Sequence, residues 1–444
     1  MVKIAVIGAG PKGVALASKC AVLKKLGYPA PELTVFEKDH VGAAWSGDCS
    51  FTNGEARICT NIERDLGFPY GDPVSDSINV NMLGEFSWRS FLLSNSSKLD
   101  LNEWLSKGCP RPSHREFSCY LHWAFQKSEA LFAGGIGFEN SAVSGLNFEG
   151  GNWKVSLETA AGSVEYADSF DGVIVTGVCR RSGPWVTDAD APAFDGANFW
   201  EDGALERLQD TIAKVLTLED RVKVAVVGDG GTSAAVCHYL ALHHRSRASL
   251  HINVFGSNPF FDSRPENYFS DRFYADDQMW RDRTVNFRRK FLGRTMRGRV
   301  WEPIIRDLQH CEIEYDSARV LAVRTEVLPG DRYQFEGDLC SDGSGSVTGG
   351  FEADILVDAR GFDDFWFLNL FPDALSQILR PHGLEPRVAK ETLEASLDNS
   401  FQVVSAGFPP GLHLPTLGSL MHAGANNLMA LGSVTDSLLA PYRS

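Results

Sequence analysis

Val2-Lys-Ile-Ala-Val-Ile-Gly8-Ala-Gly10-Pro11-Lys-Gly13 runs a strand directly into a glycine turn and the start of a helix. Gly8 permits the tight turn, Gly10 lets the backbone approach a pyrophosphate, and Gly13 lets the helix pack closely on the strand, so that an anion would sit at the helix N-terminus. Alone, this pattern is a weak signal for a nucleotide. It gains weight from Glu37, which closes the run Leu33-Thr-Val-Phe-Glu37 where a carboxylate can accept the hydroxyls of an unphosphorylated ribose.

The opening is repeated at Val222-Lys-Val-Ala-Val-Val-Gly228-Asp-Gly230-Gly231-Thr232-Ser233-Ala234. Two dinucleotide sites in one chain are far more specific than one. The strand after the second turn, Leu250 to Phe255, ends in Gly256-Ser257-Asn258 without a carboxylate. A strand end lacking the acid tolerates a ribose 2′-phosphate, which points to NADPH rather than NADH.

Composition narrows the partners. The 444 residues suffice for two to three domains, and 43% hydrophobic residues can fill their cores. With 42 Lys and Arg against 57 Asp and Glu, the net charge of −15 disfavours nucleic acid or an anionic membrane as main partner. No hydrophobic leader precedes the strand at residue 2 and no apolar run reaches membrane-spanning length, so a cytoplasmic protein is expected. The nine cysteines form no C-x-x-C, leaving neither a zinc ribbon nor a dithiol centre at its usual spacing, and no metal is expected.

Between the two turns, Pro11 to Leu26 reads as a crossover helix, with Lys12, Lys19, Lys24 and Lys25 on its solvated face. Trp45, in Val41-Gly-Ala-Ala-Trp45, stands where a flavin would lie if the first nucleotide is FAD, or is a packing residue. Residues 57 to 70 lack periodicity, as a loop crossing an active site does. Within them Arg64 is either a fork for a substrate carboxylate or an ordinary ion pair with Glu63 or Asp65. Ser113 and Glu116 form a capping box opening a helix in which His114 and His122 are surface or packing residues, and Gly150-Gly151 signals a hairpin. Residues 262 to 310 form a charged, aromatic, mostly helical insertion suited to substrate recognition. Asp354-Ile-Leu-Val-Asp-Ala-Arg-Gly361 resembles Gly172-Val-Ile-Val-Thr-Gly177, the closing strand of the first unit, so the chain is expected to return there. Asn427 to Ala440 reads as a strand, a turn and a helix start whose backbone N–H groups would face a flavin.

The resulting fold class is α/β: two Rossmann-like dinucleotide-binding domains, for FAD and NADPH, with a small, mostly helical substrate-binding insertion. The expected limits are 1–199 with 352–444 for the FAD domain and 200–351 for the NADPH domain, the latter containing 262–310. A homo-oligomer, dimer or tetramer, is expected.

Gly8-Ala-Gly-Pro-Lys-Gly13, Asp65-Leu-Gly-Phe-Pro-Tyr70, Arg115-Glu-Phe-Ser-Cys-Tyr-Leu-His-Trp123, Glu266-Asn267 and Leu414-Pro-Thr-Leu417 together resemble the flavin-dependent N-hydroxylating monooxygenases, especially lysine N6-hydroxylases of mycobactin-type siderophore pathways. The resemblance spans nearly the whole chain. It implies FAD contacts from Gly8, Gly10, Pro11, Gly13, Glu37, Lys38, Trp45, Val143, Asp436 and the turn Ser437-Leu438-Leu439, and NADPH contacts from Gly228, Gly230, Gly231, Thr232, Ser233 and Ser257. It also implies an amino-acid substrate held by Arg64, Asn267, Met296 and Ala440. Arg64 stands where the family has a carboxylate-binding lysine, Met296 where the ornithine enzymes have a second asparagine, and Ala440 where they have a serine; these departures point away from ornithine. In such enzymes NADPH reduces the flavin, O2 forms a C4a-hydroperoxyflavin, and a neutral amine attacks its distal oxygen. No protein nucleophile is required.

Other classes fit less well. A disulfide reductase needs a cysteine pair, and a Baeyer–Villiger or sulfoxidising enzyme favours F-x-G-x-x-x-H, which Phe194-Asp-Gly196 begins but Trp200 breaks. A non-catalytic redox sensor is the remaining alternative.

Overall fold

The computed structural model describes the chain apart from residues 1, 50, 73, 95–99, 161, 179–184, 187, 244–248, 259, 265–267, 296–299, 310–311, 331, 342, 344, 381–382, 385 and 444. Two parallel five-stranded sheets organise it. The first has the order Leu412–His413, Gly172–Val175, Lys3–Ile7, Glu32–Glu37, Ile136–Asn140. A parallel sheet must be covered on both faces, so its strands read as apolar runs rather than alternating ones. One face is covered by the helices Pro11–Lys25 and His114–Leu131. On the other side lies the antiparallel layer Val143–Glu149, Asn152–Thr159, Gly162–Phe170, whose Trp153 and Phe170 are fully buried. Gly150 and Gly151, with φ of 60° and 90°, form the two-residue turn of its first hairpin.

Helix Pro11–Lys25 departs from expectation. Eleven successive residues, Gly13 to Leu23, are buried, because the helix is enclosed by the sheet, by His114–Leu131 and by the C-terminal helix Leu431–Leu439. Lys24 and Lys25 are solvated, whereas Lys19 is not: it lies in the core, 3% exposed. The sequence reading assumed one wet face, and the enclosure removes it.

The second sheet runs Ile313–Ser317, Leu250–Gly256, Val222–Val227, Ile355–Asp358, Ala193–Asp195, again all parallel. This corrects the domain limits. Strand Ile355–Asp358 pairs with Val222–Val227 through Asp354 N to Lys223 O (2.8 Å) and Ala359 N to Val227 O (2.8 Å), so it closes the second unit rather than reopening the first. Ala193–Asp195 joins the same sheet, and the return to the first unit comes after Asp358. A short buried strand followed by small residues has the same sequence in either sheet; only pairing decides which it joins.

Helices Asp202–Leu216, Gly231–His243 and Glu302–Leu308 cover one face of this sheet, and the antiparallel strands Arg319–Leu328, Arg332–Cys340 and Gly349–Ala353 the other. Since Glu302–Leu308 packs with Leu308 in the second core, the insertion is smaller than 262–310. The two-residue strands Ser263–Arg264 and Val300–Trp301 pair as its stalk. Beyond them, the helices Tyr268–Ala275, Asp277–Arg281 and Val285–Thr295 bury Tyr274, Trp280, Phe291 and Leu292 against Leu420, Ala423 and Met429 of the C-terminal segment. Among the described residues no helix is long and apolar enough to cross a membrane.

Candidate functional site

At the first turn the three glycines have separable reasons. Gly8 has φ of 103°, its N–H donates to Phe36 O (2.9 Å), and Thr176 Oγ1 donates to Ile7 O (2.9 Å) beneath it. A Cβ on Gly13 would stand 2.3 Å from Gly8 O, so only glycine lets the helix approach the strand this closely. A Cβ on Gly10 would meet nothing within 4 Å: the space before it is open. Gly10 is also the helix N-cap, with no side chain capping the first turn and no acid in it, and Pro11 follows at the position where a missing N–H costs no bond. The turn therefore presents unsatisfied N–H groups to an anion, as a pyrophosphate site requires. Glu37 lies beside it, its carboxylate accepting from Ala9 N (3.0 Å) and Asp39 N (3.3 Å). These residues fit a dinucleotide with free ribose hydroxyls.

Lys38 is exposed and 3.6 Å from Asp39. Trp45 is half-buried, edge-on to His114 (4.8 Å) and Phe117 (5.1 Å). Burial pushes the His114 pKa down to about 4, so this histidine is a neutral packing residue. Val143 opens the antiparallel layer, half-buried against the core between the two layers.

At the second turn Gly228 has φ of 125°, and Ser233 Oγ donates to Gly228 O (2.6 Å) from the first turn of the helix Gly231–His243. Gly230, Gly231 and Thr232 surround the same helix start. The strand end that lacks an acid in sequence does not lack one in space. Asp229, inside the turn, accepts from Ser257 Oγ (2.9 Å), Asn258 N (2.8 Å) and Asn258 Nδ2 (3.1 Å), all on Oδ2. The chain crosses back and brings a carboxylate from 28 residues upstream to the strand end at Ser257.

Arg64 sits where the insertion meets the first unit. Its Nη2 is 2.8 Å from Asp271 Oδ2, its Nη1 is 3.5 Å from Met429 Sδ, and its guanidinium lies 5.7 Å from the Phe68 ring centre. The ion partner is thus neither Glu63 nor Asp65. Asp65 turns inward and accepts from Trp88 N (2.9 Å), Gly67 N (3.3 Å) and the Tyr70 hydroxyl, and burial pushes its pKa up to about 7. Two more contacts fasten the insertion here: His422 Nε2 lies 2.6 Å from Asp277 Oδ1, and Arg288 Nη1 donates to Leu420 O.

Of the remaining substrate residues, Ala440 is among the described ones. Asn267 and Met296 lie outside the described residues. Ala440 is exposed at the far end of the helix Leu431–Leu439, roughly 13 Å from the helix start at a rise of 1.5 Å per residue. That helix also overturns the reading of the closing turn. Leu428–Ala430 is a single 3-10 turn and the helix starts at Leu431, so Ser437, Leu438 and Leu439 form its last turn, with Leu438 and Leu439 in the core. Packing sets the start: Gly432 N donates to Phe68 O (2.7 Å), and a Cβ there would stand 2.3 Å from Gly67 O. Asp436 faces Lys19 at 2.7 Å in a buried charge cluster.

Sequence reading missed Asp229, Asp271 and Lys19. Each acts through a partner distant in the chain, and no local pattern announces such a pairing.

No family model matches the chain. Curated relatives do, over nearly its whole length. The L-lysine N6-monooxygenase MbtG of Mycobacterium sp. (strain MCS) is 29% identical, covering 98% of this chain and 94% of that one. Its namesake from Mycobacterium tuberculosis (strain ATCC 25618 / H37Rv) is 28% identical with the same coverage. Among solved structures, the lysine monooxygenase NbtG of Nocardia farcinica, described by its NADPH domain conformation, matches with a TM-score of 0.76 at 25% identity over 99% of this chain and 100% of that one. The ornithine N-hydroxylase KtzI of Kutzneria sp. 744, with reduced FAD, NADP+ and L-ornithine, matches with a TM-score of 0.70 at 17% identity over 99% and 98%, and so shares the fold.

Proposed function

We propose that this chain, a full-length homologue of the flavin-dependent N-hydroxylating monooxygenases, hydroxylates the N6 amine of free L-lysine with FAD, NADPH and O2. The observation that carries the substrate reading is Arg64: a guanidinium 17% exposed, at the junction of insertion and first unit, with one strong partner and one weak one. Thioether sulfur is a poor acceptor, so Nη1 retains donor capacity for a carboxylate. Bound FAD supplies the oxygen transfer, with hydride from NADPH. The Gly8–Gly13 turn and Glu37 hold the first nucleotide, and the Gly228–Ser233 turn the second. Holding the α-carboxylate on a fixed cation lets the lysine side chain extend toward the flavin with one end already ordered. Beside Arg64, the apolar cluster of Tyr274, Trp280, Phe291 and Met429 excludes water. The N6 amine, at the other end of the extended side chain, reacts in its neutral form, the one with a free electron pair.

Mass spectrometry of products from lysine, ornithine, simple diamines and Nα-acylated lysine tests this. N6-hydroxylysine is expected; a diamine hydroxylated as well as lysine would overturn the role given to the carboxylate. Arg64→Ala should reduce kcat/KM for lysine by about 1.5–3 kcal/mol, the range for a charged hydrogen bond, while NADPH oxidation without substrate persists. NADPH should be oxidised faster than NADH, although Asp229 has to turn away from a 2′-phosphate. Asp229→Ala should therefore widen that preference, and a narrowed ratio of the two kcat/KM values would refute the placement.

A further inference from the structure

Asp271 holds Arg64 through Oδ2 alone. Its Oδ1 is buried and has no hydrogen-bond partner among the described residues. A buried carboxylate oxygen without a donor is costly. Arg64 is the mirror case, one of its Nη atoms resting on a thioether. Side by side, the two residues offer an unused donor set and an unused acceptor in side chains 17% and 18% exposed, with Asp271 Oδ1 itself closed off from solvent, so a ligand reaches it only where the adjoining side chains part. Free α-amino acids carry a complementary head: a carboxylate and an ammonium on one carbon.

We propose that Arg64 and Asp271 together read the zwitterionic head of the substrate, Arg64 taking the α-carboxylate on Nη1 and Asp271 Oδ1 accepting from the α-ammonium. This rests on the lysine reading above and adds a second determinant to it. The Nη2–Oδ2 contact stays in place and fixes both groups, so neither charge has to be freed before binding. Asp271 discriminates against substrates that keep the carboxylate but lack the α-ammonium, such as 6-aminohexanoate and Nα-acetyl-lysine. Arg64 discriminates against 1,5-diaminopentane.

The test compares L-lysine with 6-aminohexanoate in the FAD-loaded full chain, with Asp271→Asn alongside. The wild type is expected to favour lysine by about tenfold or more in kcat/KM, chiefly through KM, the worth of one charged hydrogen bond. Asp271→Asn should erase that ratio from one side: lysine falls, while 6-aminohexanoate, which makes no use of Oδ1, holds. Asp271→Glu, which keeps the charge, should restore part of the preference. Equal losses for both substrates, or an unchanged ratio, would overturn the role of Asp271 and leave lysine hydroxylation standing. A wild type equally efficient on both substrates would overturn it without any variant. No N6-hydroxylysine from the wild type would instead fail the lysine reading itself, and this inference with it.

Discussion

Lys19→Met is expected to cost about 3–5 kcal/mol of stability, the usual penalty for breaking a buried ion pair from one side. Lys19 Nζ lies 2.7 Å from both Asp72 and Asp436, and Arg443 completes the cluster at 3.3 Å and 3.7 Å. The methionine fills the space, but two carboxylates then share a single cation in the core between the first helix and the last. Chemical denaturation of the FAD-free protein gives the number, and a loss below about 1 kcal/mol would refute the account. The two acids respond oppositely to this environment. Burial would raise Asp72, but the hydrogen bond and charge of Lys19 prevail and hold it down to about 2. For Asp436 burial prevails over Lys19 and pushes it up to about 7. A raised carboxyl contributes stability that is complete below its unfolded value, near 3.9, and is lost as pH rises through about 7; the depressed one contributes above 3.9 and loses it toward pH 2. Asp436→Asn should therefore flatten the decline of Tm between pH 5 and 8.

Gly13→Val and Gly10→Val should both empty the first nucleotide site, for different reasons. At Gly13 the new Cβ would stand 2.3 Å from Gly8 O, a backbone atom, so the helix must lift from its strand. That shift should cost on the order of 1–3 kcal/mol and deform the turn, so Tm and FAD content fall together. At Gly10 the backbone is extended, with φ of −77° and ψ of −169°, and an added Cβ meets no atom within 4 Å. The apoprotein should melt as the wild type does, while the valine occupies the approach of the pyrophosphate and FAD is lost. The flavin absorbance of purified protein and a thermal melt of the apo forms separate the two cases. FAD retained in Gly10→Val would show that the open face of the turn is not where the nucleotide lies.

The sequence by itself determined whatever depends on a few neighbouring residues. The two glycine turns are set by the sterics of single positions, the Ser113–Glu116 capping box by a three-residue spacing that returns both bonds (2.6 Å and 3.2 Å), and the Gly150-Gly151 hairpin by its positive φ angles. The α/β class followed from these, since a strand, turn and helix written twice admit few other arrangements. Only the tertiary structure decided which sheet takes Ile355–Asp358, that Lys19 is enclosed, that Asp229 reaches the end of the second strand, and that Arg64 meets Asp271 across 207 positions. Each is a pairing of groups with many equivalent candidates along the chain. A charged side chain selects among them by burial and close approach, quantities that exist only after the layers have packed.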